Sequence, residues 1–229
     1  MVWLLLIVVV LALVIVPGWW VNRTLKKYSV DYPDLPGTGG ELAQHLVDRF
    51  EIPVKVEQVE QGDHYDPEDR AVRLSQSFYS GRSLSAVAVA AHEVGHAIQH
   101  NEKYKPLIWR SKLVKLAYFA EKFGSGLFLL VPIMALITRS PISTGVLLLV
   151  AAVTVFLSVI VHLVTLPVEW DASFGRALPL LEQGNYLAES ELKVARKVLL
   201  AAALTYVSGA LLSLINVWRW IAIMRGRVF

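Results

Sequence analysis

The sequence contains no cysteine among its 229 residues. This absence excludes a disulfide framework and any metal site that is built from thiolates. Charged residues are also scarce: they make up 18% of the chain, whereas an average soluble domain has roughly 25%. The net charge is only +3 and the basic residues form no continuous stripe, so nucleic acid is not an expected partner.

Hydrophobic residues, by contrast, account for 55% of the chain and are concentrated in long uncharged runs. A helix of about 20 apolar residues is long enough to cross the hydrocarbon core of a bilayer. Such runs occupy residues 2–22, 142–168 and 198–218, and a shorter run of 15 residues occupies 124–138. We therefore predict a mainly α-helical membrane protein, with about four transmembrane helices and a small α+β portion.

The first run is interpreted as a retained anchor. A cleaved signal peptide is the alternative, but the run lacks the basic start and the small-x-small cleavage site of such a peptide. The predicted organisation is an N-terminal transmembrane anchor at 1–22, a portion of mixed polarity at 23–122, a transmembrane hairpin at 123–168, a further helix at 169–197, and a C-terminal transmembrane helix with its tail at 198–229.

The distribution of lysine and arginine predicts the orientation of these segments. Segments 23–122 and 169–197, which would share one side of the membrane, hold 14 and 4 of the 22 basic residues. The positive-inside rule places that side in the cytoplasm. Arg219, Arg225 and Arg227 would then lie outside, an inconsistency that disappears if the last run is a re-entrant or surface helix.

The portion at 23–122 shows both helical and strand-like patterns. Helical spacing predicts one helix after Gly37, with Thr38 as its candidate N-cap, and another over 84–101. Alternation predicts strands at 53–59 and 71–79, joined by the turn-rich segment QGDHYDPEDR. An edge strand at 71–79 could pair with an extended peptide, and an ordinary internal strand is an equal alternative.

The segment VAVAAHEVGHAIQH gives the strongest chemical signal. His92 and His96 are four residues apart, so their imidazoles lie one turn apart on one face of a helix. Such a pair suits two corners of a zinc tetrahedron, with Glu93 placed as the general base and acid for an activated water. A purely structural interpretation would have to satisfy three polar groups on a buried helix, so a zinc site is favoured. The α+β portion at 23–122 is therefore predicted to be zincin-like and catalytic.

A catalytic zinc requires a third protein ligand. Glu169, in the segment LPVEWDAS, is favoured because it follows a predicted span and emerges on the same side as the helix of His92. Asp171 is the alternative ligand, but on a helix it points about 200° away from Glu169, so the two cannot both face the metal. His100 lies two helical turns from His92 and is expected on the helix surface.

Four more polar residues are candidates for supporting roles. Ser173 and Arg176 share the helix face of Glu169: the serine could orient a ligand, and the arginine could stabilise an oxyanion or lie near lipid headgroups. In the segment DHYDP, Tyr65 or His64 could donate to an oxyanion or contribute to a cation site. The alternative there is a turn whose aspartates bond their own backbone.

The chain resembles the YugP-like membrane zinc metallopeptidases of bacteria over nearly its whole length after the first helix. The likeness rests on four ordered segments, DHYDPEDRAVRLSQSFYSGRSLSAVAVAAHEVGHAIQH, YKPLIWRSKLV, LVTLPVEWDASFGRAL and VLLAAALTYVSGALLSL. The resemblance implies a neutral peptidase in the bacterial inner membrane that binds one zinc ion per chain. It also implies that His92 and His96 are ligands and that Glu93 is the catalytic acid and base.

More distantly, the chain is similar to membrane peptidases of the HtpX and Ste24 type. In those peptidases the third ligand is a glutamate that opens an E-x-x-x-D pattern, which maps onto Glu169. This sequence departs from the pattern, because position 173 is serine and the nearby acid is Asp171. The third ligand therefore carries over more directly than the residue that supports it.

The expected function is hydrolysis of peptide bonds in unfolded, membrane-proximal or membrane-protein substrates. The expected partners are the lipid bilayer, a polypeptide substrate and a regulatory membrane protein that controls access. The alternative is a catalytically silent, zinc-stabilised membrane adaptor or chaperone, which has no chemical need for Glu93. Transport is disfavoured because His162 is the only ionisable residue within the predicted spans.

Overall fold

The computed structural model describes residues 2–138 and 141–205. Its elements in chain order are α1 (Val2–Lys27), α2 (Gly39–Arg49), β1 (Lys55–Val59), β2 (His64–Asp66), β3 (Ala71–Ser75), α3 (Gln76–Tyr79), α4 (Leu84–Asn101), α5 (Lys105–Thr138), α6 (Pro141–Trp170), a π-helix (Asp171–Ala177), α7 (Leu178–Gln183) and α8 over residues 189–205. This part of the protein is mainly helical and carries one small sheet, as the sequence predicts.

The prediction of about four transmembrane helices is wrong for this part of the chain. Within residues 2–138 and 141–205, no helix combines the length and the apolar content that crossing a membrane requires. The prediction counted uncharged runs in the sequence, and the run at 124–138 is only the second half of α5, whose first half carries lysines and an arginine. Most of the run at 198–218 lies outside the described residues.

The three strands form a sheet in the order β1-β3-β2. β1 runs parallel to β3, and β2 runs antiparallel to it, with Tyr65 opposite Val72. β3 is therefore the central strand and has no free edge with which a peptide could pair. Of the edge strand and the internal strand that the sequence allows, the structure contains the internal strand. It also ends at Ser75, because residues 76–79 form α3. The short strand β2 lies within the segment for which the sequence predicts a turn.

Helix α2 begins as its sequence predicts. The Thr38 hydroxyl accepts a hydrogen bond from the backbone N–H of Glu41, whose carboxylate accepts one from the backbone N–H of Thr38. This capping box satisfies two backbone donors that the first turn of a helix leaves unpaired. The buried face of α2, which includes Leu46 and Val47, contributes to the same core cluster as α4.

Helix α4 forms the centre of the core. Every residue from Ser85 to Ala97 is buried, and many are alanine, valine or glycine. Small side chains allow neighbouring elements to approach closely, and α4 contacts α2, the sheet and the π-helix. The Ser83 hydroxyl caps the helix by accepting a hydrogen bond from the N–H of Ala86 at 3.1 Å.

The last turn of helix α6 lies beside α4. Pro167 lies inside α6 rather than at the start of a helix, and the chain continues directly into the π-helix. A β-carbon at Gly95 would lie 2.8 Å from the carbonyl oxygen of Ala172, so only glycine permits this approach between α4 and the π-helix. The contact places the end of α6 beside the two histidines of α4.

Candidate metal centre

Two histidines and one glutamate converge at the contact between α4 and α6. The candidate ligand atoms of His92, His96 and Glu169 all lie within 4.8 Å of one another, and the three side chains are buried. Glu169 Oε2 lies 3.2 Å from His92 Nε2 and 3.4 Å from His96 Nε2. The structure thus brings together the three residues that the sequence singles out as metal ligands, although 77 residues separate His92 from Glu169.

The hydrogen bonds of Ser173 determine the tautomer of His92. The Ser173 hydroxyl donates its proton to the carbonyl oxygen of Leu199 at 3.1 Å, so it must act as an acceptor towards His92 Nδ1 at 3.0 Å. His92 therefore carries its proton on Nδ1. Its Nε2 is left with a lone pair that faces Glu169.

Gln99 determines the tautomer of His96 in the same way. The Gln99 amide nitrogen donates to the carbonyl oxygen of Val168 at 2.9 Å and to Asp171 Oδ2 at 2.8 Å. Its oxygen is therefore the atom that lies 2.9 Å from His96 Nδ1, and it accepts the proton of that nitrogen. The Nε2 atoms of both imidazoles thus point lone pairs at the same carboxylate.

This arrangement fits a divalent cation. The two Nε2 lone pairs each lie within 3.4 Å of one carboxylate oxygen and repel it unless a cation, or a proton on an imidazole, lies between them. The second carboxylate oxygen, Glu169 Oε1, is buried and has no hydrogen-bond partner among the described residues. Two neutral imidazoles and one carboxylate are also the donor set of one class of catalytic zinc sites.

The charge of Glu169 suits this role. Burial raises the pKa of its carboxyl group, but when the Nε2 atoms of His96 and His92 also carry protons, the charge and hydrogen bonds of these imidazoles outweigh burial. The net effect holds the pKa of Glu169 well below its usual range, so the carboxylate is ionised. Arg110 adds a positive charge 3.6 Å from Glu169 Oε1.

Glu93, which follows His92 on α4, is also buried, but the pKa of its carboxyl group is shifted in the opposite direction to that of Glu169. Burial raises the pKa of its carboxyl group to about 7, although His92 in its protonated form and a hydrogen bond from the backbone N–H of Tyr65 lower it. Glu93 lines a cavity of about 290 Å³ together with His92, His96 and Glu169. A carboxyl group of this pKa can exchange a proton near neutral pH within that cavity.

The two candidates from the segment DHYDP lie at this cavity. His64 and Tyr65 both line it, and the Tyr65 hydroxyl lies 2.7 Å from His100 Nδ1. Burial raises the pKa of Tyr65 to about 12, so its hydroxyl stays protonated. His100, expected on the helix surface, is half-buried, bonds this hydroxyl and is not part of the metal-ligand cluster.

Asp171 and Arg176 lie outside the ligand cluster. Asp171 Oδ2 accepts hydrogen bonds from Gln99 and from Arg176 Nε, each at 2.8 Å. Arg176 also donates to Glu102 at 2.8 Å, so its guanidinium group links the π-helix to the end of α4. Of the two alternatives for the third ligand, the structure places Glu169 with the histidines, and Asp171 supports Gln99 instead.

Sequence reasoning missed Gln99 and Arg110. Gln99 lies three residues after His96 on α4, so helical spacing could have identified it as a neighbour. Arg110 lies on α5 and reaches the centre only through the packing of that helix, for which the sequence around it gives no signal.

Comparison with known proteins agrees with this geometry. A family model described as "Putative neutral zinc metallopeptidase" matches residues 3–225. The chain is 40% identical over 211 residues to the Bacillus subtilis (strain 168) protein named "Putative membrane protease YugP", an alignment that covers 90% of each chain. No solved structure matches significantly. The chain belongs to the neutral zinc metallopeptidase family that this model describes, and the resemblance inferred from its sequence motifs is confirmed.

Proposed function

We propose that the protein is a zinc-dependent endopeptidase that holds one zinc ion with His92, His96 and Glu169. The observation that carries the proposal is the convergence of two imidazole lone pairs and a carboxylate beside Glu93 in one cavity. Zinc in such a donor set supplies Lewis-acid chemistry, since it polarises a carbonyl group and lowers the pKa of water to about 7.

Glu93 is proposed as the group that moves protons in the reaction. Its pKa of about 7 is close to the optimum for a group that must both accept and donate a proton at neutral pH. It first accepts a proton from the attacking water and then gives it to the leaving amine. The Tyr65 backbone N–H holds its carboxylate in the cavity wall.

The proposed substrates are polypeptides at the cell membrane, with hydrolysis on its cytoplasmic side. The name of the B. subtilis relative supports a membrane location. Exposed apolar side chains on α5, including Trp109 and Leu116, support an environment less polar than water.

Cleavage of an unfolded-protein or peptide library by the detergent-purified protein tests this proposal. Glu93→Gln removes the proton-transfer group while nearly preserving shape, so we expect cleavage to fall at least about 100-fold with zinc content unchanged. Glu182→Gln is the matched control, because Glu182 is exposed on α7, and it should cleave like the wild type.

Chelation completes the design. Wild-type cleavage should disappear with a zinc chelator and return when zinc is added. Equal cleavage by the wild type and Glu93→Gln would contradict the proposed role of Glu93. A wild type that holds zinc but cleaves nothing, in membranes as in detergent, would favour the zinc-stabilised adaptor.

A further inference from the structure

A second, larger cavity lies beside the metal centre. Its volume is about 710 Å³, against about 290 Å³ for the cavity that contains the metal ligands. One wall is formed by β2 and the turn after it, and the opposite wall is one face of α5. Ligand-binding cavities in proteins commonly have volumes of 300–1,000 Å³, so this one is large enough for a substantial group.

The two cavities adjoin. Tyr65, His96 and Arg110 line both of them, so the larger cavity borders one of the candidate metal ligands, His96. A group in the larger cavity would therefore lie directly beside the reacting bond of a substrate.

The wall on α5 combines four apolar side chains with three polar ones, Arg110, Ser111 and Lys115. Leu107, Val114 and Tyr118 lie seven and four residues apart on one helix face, and Phe119 lies next to them. Leu107 is buried, whereas Val114, Tyr118 and Phe119 are exposed to solvent within the described structure. An apolar guest would cover these side chains and remove their apolar surface from water.

The charged residues that line the cavity are already paired. Asp66 Oδ2 lies 2.6 Å from Arg73 Nη1, and Glu68 Oε1 lies 2.6 Å from Lys115 Nζ across the cavity rim. Arg110 contributes the ion pair with Glu169. A charged guest would lose its hydration without gaining an unpaired charged partner, whereas an apolar guest has no hydrogen bonds to water to lose.

We propose that this cavity binds a bulky apolar side chain, aromatic or large aliphatic, of a polypeptide substrate next to the cleaved bond. We call the cavity the side-chain pocket. The inference rests on the proposed peptidase function and specifies its substrate class: peptides are selected by one large hydrophobic residue at a fixed distance from the scissile bond.

Filling the pocket tests the inference. Val114→Trp places an indole ring on the pocket wall at a position that is 43% exposed, so the fold can tolerate it. Leu116→Trp is the matched control, because Leu116 is on the same helix, is also exposed and does not line the pocket. The readout is the residue preference at each position around the cleaved bond of a peptide library.

The wild type and Leu116→Trp should both favour a large apolar residue at one position. Val114→Trp should lower kcat/KM for that peptide by roughly tenfold or more, while peptides with alanine at the same position keep their rate. Wild-type cleavage without such a preference, or a preference that Val114→Trp leaves unchanged, would overturn the inference.

A binding measurement separates this inference from the proposed function. Glu93→Gln should bind a fluorescent phenylalanine-containing peptide at least about tenfold more tightly than its alanine counterpart, by fluorescence anisotropy. Adding Val114→Trp to Glu93→Gln should abolish the difference. If the wild type cleaves no peptide but this binding pattern is observed, the peptidase function is rejected and the side-chain pocket is retained. Equal binding of both peptides would reject the pocket, whatever the activity.

Discussion

At the scale of single residues, the candidate centre depends on two hydrogen-bond acceptors behind the histidines. Ser173 and Gln99 each have their own donors committed to other oxygen atoms, so each accepts the Nδ1 proton of one imidazole. Both Nε2 atoms are thereby presented to Glu169 before any metal binds. This preorganisation should contribute to metal affinity as well as to orientation.

Removing one acceptor tests this account. Ser173→Ala frees the Nδ1 proton of His92, so we expect the zinc affinity to fall by roughly 10–100-fold, measured by competition with a fluorescent chelator. Ser29→Ala is the control: it removes a hydroxyl that bonds only a backbone carbonyl, that of Leu25, among described partners. Equal zinc affinity of Ser173→Ala and the wild type would show that the serine does not support His92.

Individual residues were partly predictable. His92 and His96 could be identified from helical spacing, and Ser173 from its position four residues after Glu169 in the sequence. The exclusion of Asp171 depends on the π-helix and on the competing hydrogen bonds of Gln99, which no spacing rule contains. Arg110 depends on the approach of α5, which is a property of the folded chain.

At the scale of elements, the centre depends on the close contact between α4 and the π-helix. Gly95 permits that contact, because a β-carbon there would meet the Ala172 carbonyl oxygen at 2.8 Å. α4 supplies two candidate ligands, and Glu169 precedes the π-helix by two residues. The separation of these two helices therefore determines whether the three side chains can bind one ion.

A methyl group at this contact should disrupt the centre. We expect Gly95→Ala to lower the free energy of unfolding by about 1–3 kcal/mol through overpacking, and to lower zinc content, because the π-helix must move. The measurements are chemical denaturation and metal analysis.

Gly145→Ala is the control for helix propensity. A β-carbon at Gly145, in α6, would have no described atom within 4 Å. We expect it to be neutral or to stabilise the protein by up to about 1 kcal/mol. A Gly95→Ala protein as stable and as rich in zinc as Gly145→Ala would contradict the importance of this contact.

Elements with a clear periodic pattern agree with their predictions. Helix α4 spans Leu84–Asn101 as its pattern predicts, and α2 begins at its predicted cap. The strand predicted at 71–79 ends at Ser75, because residues 76–79 form α3. The π-helix has no recognisable signature, because its residues would suit an α-helix equally well and packing against α4 selects the wider form.

At the scale of the whole molecule, hydropathy was the least reliable guide. Uncharged runs predicted about four membrane spans, and within the described residues no helix meets the requirements of a span. The chemistry of the centre was more predictable than the architecture around it, because a short motif on one helix specifies most of its donors.

Zinc analysis of the purified protein tests the central claim most directly. The wild type and Glu182→Ala, an exposed control on α7, should each retain about one zinc ion per chain after dialysis, by inductively coupled plasma mass spectrometry. Glu169→Ala should lose most of its zinc, because it removes the only carboxylate of the described cluster. A wild type without zinc, or a Glu169→Ala protein with the wild-type amount, would contradict a zinc centre formed by His92, His96 and Glu169.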